Sequence, residues 1–121
     1  MKALFTAIYN AFSSSKGALY LQEAPNGATL PYIVYYLINA VPDYTFDSVT
    51  EDYSIQFSVY AETAETACSI FEEIKAIYDD CSLAVTGYEF VKMEREISHL
   101  IKEEDLFHYV VQYRILIHKN P

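Results

Sequence analysis

Hydrophobic spacing changes period several times along this chain, and each change marks an element. Between 2 and 13, Leu4, Phe5, Ile8, Ala11 and Phe12 recur at three- and four-residue intervals. That spacing predicts an amphipathic helix, ended by "SSSKG" with Gly17 as the stop. "ALYLQEA" (18–24) predicts a short strand closed by the turn cluster "PNG". From 31 to 38, "PYIVYYLI" sets apolar residues on both pleat faces, the pattern of a strand covered on both sides. Helices are expected on one face and a partner chain on the other.

"NAVPDYTFDSVTED" (39–52) holds Pro42 and acidic residues without a clear period and predicts a loop or an edge excursion. "DYSIQFSVYA" (52–61) alternates, with Tyr53, Ile55, Phe57 and Val59 on one face and Ser54, Gln56 and Ser58 on a wet one. Helical spacing returns over 62–81, where Ala64, Ala67, Cys68, Phe71, Ile74, Tyr78 and Cys81 form a stripe. Thr63, Thr66 and the early glutamates suit its N-terminus. "LAVTGYEFVKMEREI" and "LFHYVVQYRILIH" then predict a hairpin. The return strand keeps Phe107, Tyr109, Val111, Tyr113, Ile115 and Ile117 on one face. The outgoing strand changes phase, Tyr88 and Phe90 against Val91, Met93 and Ile97, and a one-residue bulge or bend near Phe90 reconciles them. The order α-β-β-β-α-β-β predicts an α+β fold: a mostly antiparallel sheet of about four to five strands with two helices on one face.

Composition narrows the function. A chain of 121 residues is expected to be one domain spanning 1–121, long enough to close a core unaided. Hydrophobic residues make up 52% and aromatics 16%, which excludes a disordered composition. The net charge of −9 opposes capture of nucleic-acid phosphates and of anionic membrane surfaces. No run approaches the roughly 18 apolar residues that span a bilayer. The start has no hydrophobic region followed by a cleavage site, so a cytosolic protein is expected. Cys68 and Cys81, taken as one helix, would lie about 20 Å apart and be unable to bridge; they read as packing residues.

Candidate chemistry is sparse. His108 and His118 share the polar face of the last strand but are separated by roughly 33 Å, beyond a common metal, and read as surface histidines. His99 with Glu96 and Glu103 reads as a solvated group, as does Glu72–Glu73. There is no Gly-rich phosphate loop, no Cys pair at two-residue spacing and no nucleophile elbow. No catalytic residue, metal ligand or cofactor is therefore expected. What remains is apolar surface set among charges: Tyr44 and Phe46 in the acidic segment, Ile97, Leu100 and Ile101 in the charged hairpin, and the outward-facing Val110 and Leu116. In a protein of this kind such surface marks contact with other proteins.

The N-terminal helix, "PNGATLPYIVY", "YSIQFSVYAETAETA", a long helix and a closing strand pair occur in an order that resembles the tail completion, or tail terminator, proteins of long-tailed bacteriophages and prophages. The resemblance spans nearly the whole chain. Its markers are Pro31-Tyr32 opening the long strand and Tyr60-Ala61 leading into a helix that begins in small and acidic residues. It implies a non-enzymatic subunit of a hexameric ring that stops tail-tube growth at the head-proximal end, between the major tail-tube protein and the head connector proteins. It places the protein in the virion tail, and in the host cytoplasm during assembly. It supplies no motif to carry over residue by residue, so Tyr44, Phe46, Ile97, Leu100 and Ile101 stand as interface candidates on their own surface pattern. The acidic balance fits a ring through which DNA slides. The alternatives are another ring protein of the head-to-tail joint and, from a different class, a small-molecule-binding α+β domain or enzyme.

Overall fold

The computed structural model describes residues 2–12, 18–44, 49–79 and 81–119, with the side chains of 43, 44 and 49 excepted. The elements follow the predicted order: α1 (Lys2–Ala11), β1 (Ala18–Leu21), β2 (Tyr32–Tyr44), β3 (Val49–Ala61), α2 (Ala64–Tyr78), β4 (Tyr88–Lys102) and β5 (Phe107–Lys119). The strands form one mixed sheet in the order β1-β2-β3-β5-β4. Only the β1–β2 pairing is parallel.

Alternation decides which face each strand buries. Ile33, Tyr35, Tyr53, Ile55, Phe57, Val59, Val111, Tyr113, Ile115 and Ile117 all turn to the side that carries both helices and form the core with Leu4, Ile8, Ile70, Phe71, Ile74 and Tyr78. Of the predicted α2 stripe Ala67, Phe71, Ile74 and Tyr78 are buried, joined by Ile70, whereas Ala64 is half-buried and Cys68 is exposed, so Cys68 is not the packing residue expected. Thr63 caps it, its Oγ1 accepting from the Thr66 N–H at 3.1 Å. At the centre Phe57 stacks on Tyr78 with ring centroids 4.9 Å apart and meets Tyr113 edge-on at 5.9 Å. Two phenols hold α1 down: Tyr78 donates to the Ile8 carbonyl at 2.7 Å and Tyr35 to the Phe5 carbonyl at 3.3 Å.

The structure corrects three expectations. The segment 39–52 is mostly strand, because β2 runs on to Tyr44 and β3 starts at Val49. Beyond Tyr35, no strand among the described residues pairs with the outer side of β2, β1 being paired only with 32–35 and the Leu37 N–H donating to the Gln22 side chain at 3.3 Å. Such an edge tolerates Pro42 and imposes no burial period. α2 ends at Tyr78 rather than at 81, since Asp79 turns extended (φ −66°, ψ 124°). Cys81 therefore lies outside the helix with its Sγ 3.6 Å from Met93 Sδ, and neither cysteine is in a disulfide. The apparent strand start at Leu83 is instead a connection that buries Leu83 and Val85 before β4 begins at Tyr88.

The expected bulge near Phe90 is present: the β4–β5 register shifts between Phe90 and Lys92, leaving Val91 as the extra residue. A second shift between Arg95 and Ile97 makes Glu96 extra, and one in β2 between Leu37 and Asn39 makes Ile38 extra. These insertions explain why apolar residues in β2 and β4 fall out of phase.

Candidate assembly surfaces

The large hydrophobic side chains that stay exposed among the described residues fall on two opposite borders of the sheet. Tyr9, Leu21, Ile38 and Val41 belong to α1, β1 and the outer part of β2, whereas Val91, Ile97, Leu100 and Ile101 belong to β4. β3, β5 and α2 contribute none to that set. One edge of the sheet is thus apolar on β4, and the unlike opposite edge is apolar on β1, β2 and α1.

On β4 the predicted trio is exposed, Ile97 at 53%, Leu100 at 41% and Ile101 at 37%. Cross-strand register divides it. Leu100 lies opposite Tyr109, on the helix side, while Ile97 and Ile101 lie opposite Gln112 and His108, on the far face. The hairpin closes where the Glu103 N–H donates to the Leu106 carbonyl at 2.9 Å, exposing Glu103, Glu104 and Asp105 at its tip. Tyr44 ends β2 at the other end of the sheet and on the other edge, so the structure does not bring it together with the trio. The Tyr44 side chain and Phe46 lie outside the described residues.

At the β1 border, α1 stands over the sheet edge and leaves a groove of about 560 Å³ lined by Lys2, Phe5, Thr6, Tyr9, Leu21 and Tyr35. Its walls are apolar, and Lys2 is the one charged residue among them. The spacing of α1 and β1 did not single out Tyr9 or Leu21, because their exposure depends on which strand ends the sheet.

The face away from the helices carries an aromatic row across four strands. Tyr20 meets Tyr32 at 6.1 Å, Tyr32 meets Tyr60 at 5.2 Å, and Tyr60 stacks on His108 at 4.4 Å. Behind it Val34, Ser58 and Val110 are buried although no helix covers them. The large neighbours do so: Val34 lines a depression with Tyr32, Tyr36, Tyr60 and the segment 22–24. The Gln56 amide donates to the Tyr36 hydroxyl and, at 3.0 Å, to the Ser58 hydroxyl. This corrects the expected wet face at Ser58 and the expected exposure of Val110. Leu116 is half-buried. His108 is no surface histidine either: its Nδ1 lies 3.1 Å from Glu103 Oε1 and its Nε2 is buried without a partner. His118 is half-buried and lies 3.2 Å from the Thr50 hydroxyl through Nδ1.

The remaining polar contacts are structural clasps. Tyr113 donates to Asp79 Oδ1 at 2.6 Å, and Arg95 pairs with Asp79 at 3.4 Å while lying 5.5 Å from the Phe71 ring centroid. These contacts tie the end of α2 to β4 and β5. Burial pushes the phenols of Tyr35, Tyr78 and Tyr113 above the ordinary tyrosine value, with Asp79 adding to the rise at Tyr113. Arg114 chelates Asp52 through Nε at 2.9 Å and Nη2 at 2.7 Å, which holds its guanidinium pKa up. Among the described residues no group of His, Cys, Asp and Glu is arranged to hold a metal ion, and no helix is long and apolar enough to cross a membrane.

The fold is shared with a solved structure. It superposes on a chain from the virion of a native gene transfer agent (GTA) particle with a TM-score of 0.85, covering 97% of this chain and 96% of that chain at 12% identity. Residues 3–118 match the family model of Tail completion protein gp17, and the chain belongs to that family of phage tail structural proteins. No curated protein matches it.

Proposed function

We propose that this protein assembles as a ring, hexameric by family resemblance, at the head-proximal end of a phage-type tail. There it ends growth of the tail tube and joins tail to head. The observation that carries this reading is the division of exposed apolar side chains between two unlike edges of one sheet. Unlike edges meet head to tail rather than patch to identical patch, and a head-to-tail contact whose rotation closes produces a ring. The partners are further copies of the chain, the major tail-tube protein and the head connector proteins. The net charge of −9 suits a channel wall that releases DNA rather than binds it. On this reading the protein works without catalysis, in the virion tail after assembly in the host cytoplasm. The groove beside α1 is of ligand size, but its lining holds no carboxylate, histidine or cysteine to work with Lys2, and the Tyr35 hydroxyl is taken up by the Phe5 carbonyl.

Deleting the gene and imaging the particles tests the proposal. The expected result is DNA-filled heads without tails alongside unattached tubes of uncontrolled length, restored to normal by the gene in trans. Normal tailed particles from the deletion strain would overturn it.

A further inference from the structure

We propose that the groove between α1 and β1 seats the end of the β4–β5 hairpin of a second copy of this chain. This rests on the ring reading above and gives it a defined joint. The two surfaces are chemically matched. The groove is walled by Phe5, Tyr9, Leu21 and Tyr35 with Lys2 beside it. The hairpin offers the exposed Leu100 on the helix side, followed by Glu103, Glu104 and Asp105 at its tip. An apolar side chain meets an apolar wall, and acidic residues meet a cation. The two surfaces lie on opposite borders of the sheet, so a subunit cannot fill its own groove and must offer its hairpin to a neighbour.

Register adds a geometric argument. Leu100 pairs with Tyr109, Tyr109 with Val59, Val59 with Ile33 and Ile33 with Leu19, so Leu100 and Leu19 occupy one rung of the ladder at its two ends. Leu21, on the groove wall, lies two residues further along β1, roughly 7 Å by strand rise. Both surfaces also face the helix side. Seating Leu100 beside Leu21 of the next copy therefore needs an offset of two residues along the strands. Repeated head to tail, such a contact makes a ring where the tilt of the strands to the axis takes up that offset. The bulges at Val91 and Glu96 interrupt the outer edge of β4, which favours a joint made by side chains over backbone pairing.

The experiment combines cross-linking with mixing. In a Cys68→Ser, Cys81→Ser background, Leu21→Cys with Leu100→Cys is expected to give, on oxidation, a ladder of linked chains ending in one closed species. Neither single cysteine variant should do so. Leu21→Asp and Leu100→Asp, each at an exposed site, should each raise the concentration for half-assembly roughly tenfold or more by light scattering. Mixed together they keep one intact joint and should stop at two chains. Should Leu21→Asp disturb the fold by circular dichroism, Lys2→Glu and Glu104→Lys replace the pair, each weakening assembly and the double exchange restoring it. A wild type that assembles while the aspartate variants assemble equally well and the cysteine pair stays unlinked would overturn this joint and leave the ring reading standing. A wild type that remains one chain, both alone and mixed with tail tubes, would overturn both.

Discussion

Removing a single hydroxyl group tests how the first helix is held. Tyr78 and Ile8 are both fully buried, and the phenol donates to the Ile8 carbonyl at 2.7 Å. Ile8 belongs to the last four residues of α1, whose carbonyls run out of intrahelical donors. The N–H that would otherwise serve it, that of Phe12, bonds to the Tyr9 carbonyl instead at 3.1 Å. Tyr78→Phe keeps the ring, its stacking on Phe57 and the packing volume, and removes only the donor. A buried acceptor left unsatisfied costs about 1 to 3 kcal/mol. Tyr9→Phe, on a side chain 57% exposed, serves as the control and is expected to stay within about 0.5 kcal/mol of wild type. Urea unfolding at neutral pH measures both, with an unchanged slope showing that the denatured state is comparable. Native-state hydrogen exchange should place the loss in α1. A Tyr78→Phe protein as stable as its control would refute the idea that this hydroxyl closes the end of the helix.

Phe71→Ala is expected to cost about 3 to 5 kcal/mol, because the ring is buried and stacks on Tyr109 at 4.3 Å beneath Arg95; thermal or urea unfolding measures it, and a loss below about 1 kcal/mol would mean that α2 does not pack through this stripe. Alkaline pH should unfold the protein cooperatively: folded-state phenol values raised above 10.0 at Tyr78 and Tyr113 leave stability intact below that pH and remove it as pH climbs above it, since the unfolded chain loses those protons first. Tyrosinate absorbance should then rise together with the loss of circular dichroism, whereas early, gradual titration of every tyrosine would contradict the burial. Deleting Val91 removes the unpaired bulge residue without altering the faces of its neighbours, so the fold should survive while concentration-dependent aggregation by light scattering increases; a deletion variant as disperse as wild type would show that the bulge does not guard the edge.

The sequence reading succeeded where one side of an element is buried. β3 and β5 alternate without a break because their helix-side residues lie under α1 and α2, and the α2 stripe through Phe71, Ile74 and Tyr78 repeats for the same reason. It failed where that condition lapses. Residues 39–44 pair with β3 but have no strand on their outer side among the described residues, so Pro42 and Asp43 sit in a strand that no hydrophobic period announces. The phase break at Phe90 was legible because apolar residues flank it on both phases. The one at Glu96 was not, since Glu94, Arg95, Glu96 and Ile97 are all exposed and no buried residue there marks the phase. Strand order, the parallel β1 and the groove beside it depend on contacts distant in sequence. For that reason Ile97, Leu100 and Ile101 were identifiable as exposed apolar residues, while Tyr9 and Leu21 on the opposite border were not.

The tyrosine-rich run 32–36 shows how one strand serves two surfaces. Ile33 and Tyr35 enter the core, and the Tyr35 hydroxyl reaches Phe5, so this face is satisfied by α1. Tyr32 and Tyr36 lie on the opposite face, where Tyr32 joins the row through Tyr60 to His108 and Tyr36 accepts from Gln56. A phenol suits that position because its ring covers Val34 and Ser58 while its hydroxyl stays hydrated or hydrogen-bonded. Expecting a partner chain over this face followed from counting apolar letters. The side chains themselves cover much of the row behind them, so the exposed apolar surface among the described residues concentrates at the borders of the sheet. The core of this fold closes within one chain, its buried side chains needing no neighbour to cover them. Among the described residues, the large hydrophobic side chains left exposed are confined to the two borders of the sheet, where the proposed joint would form.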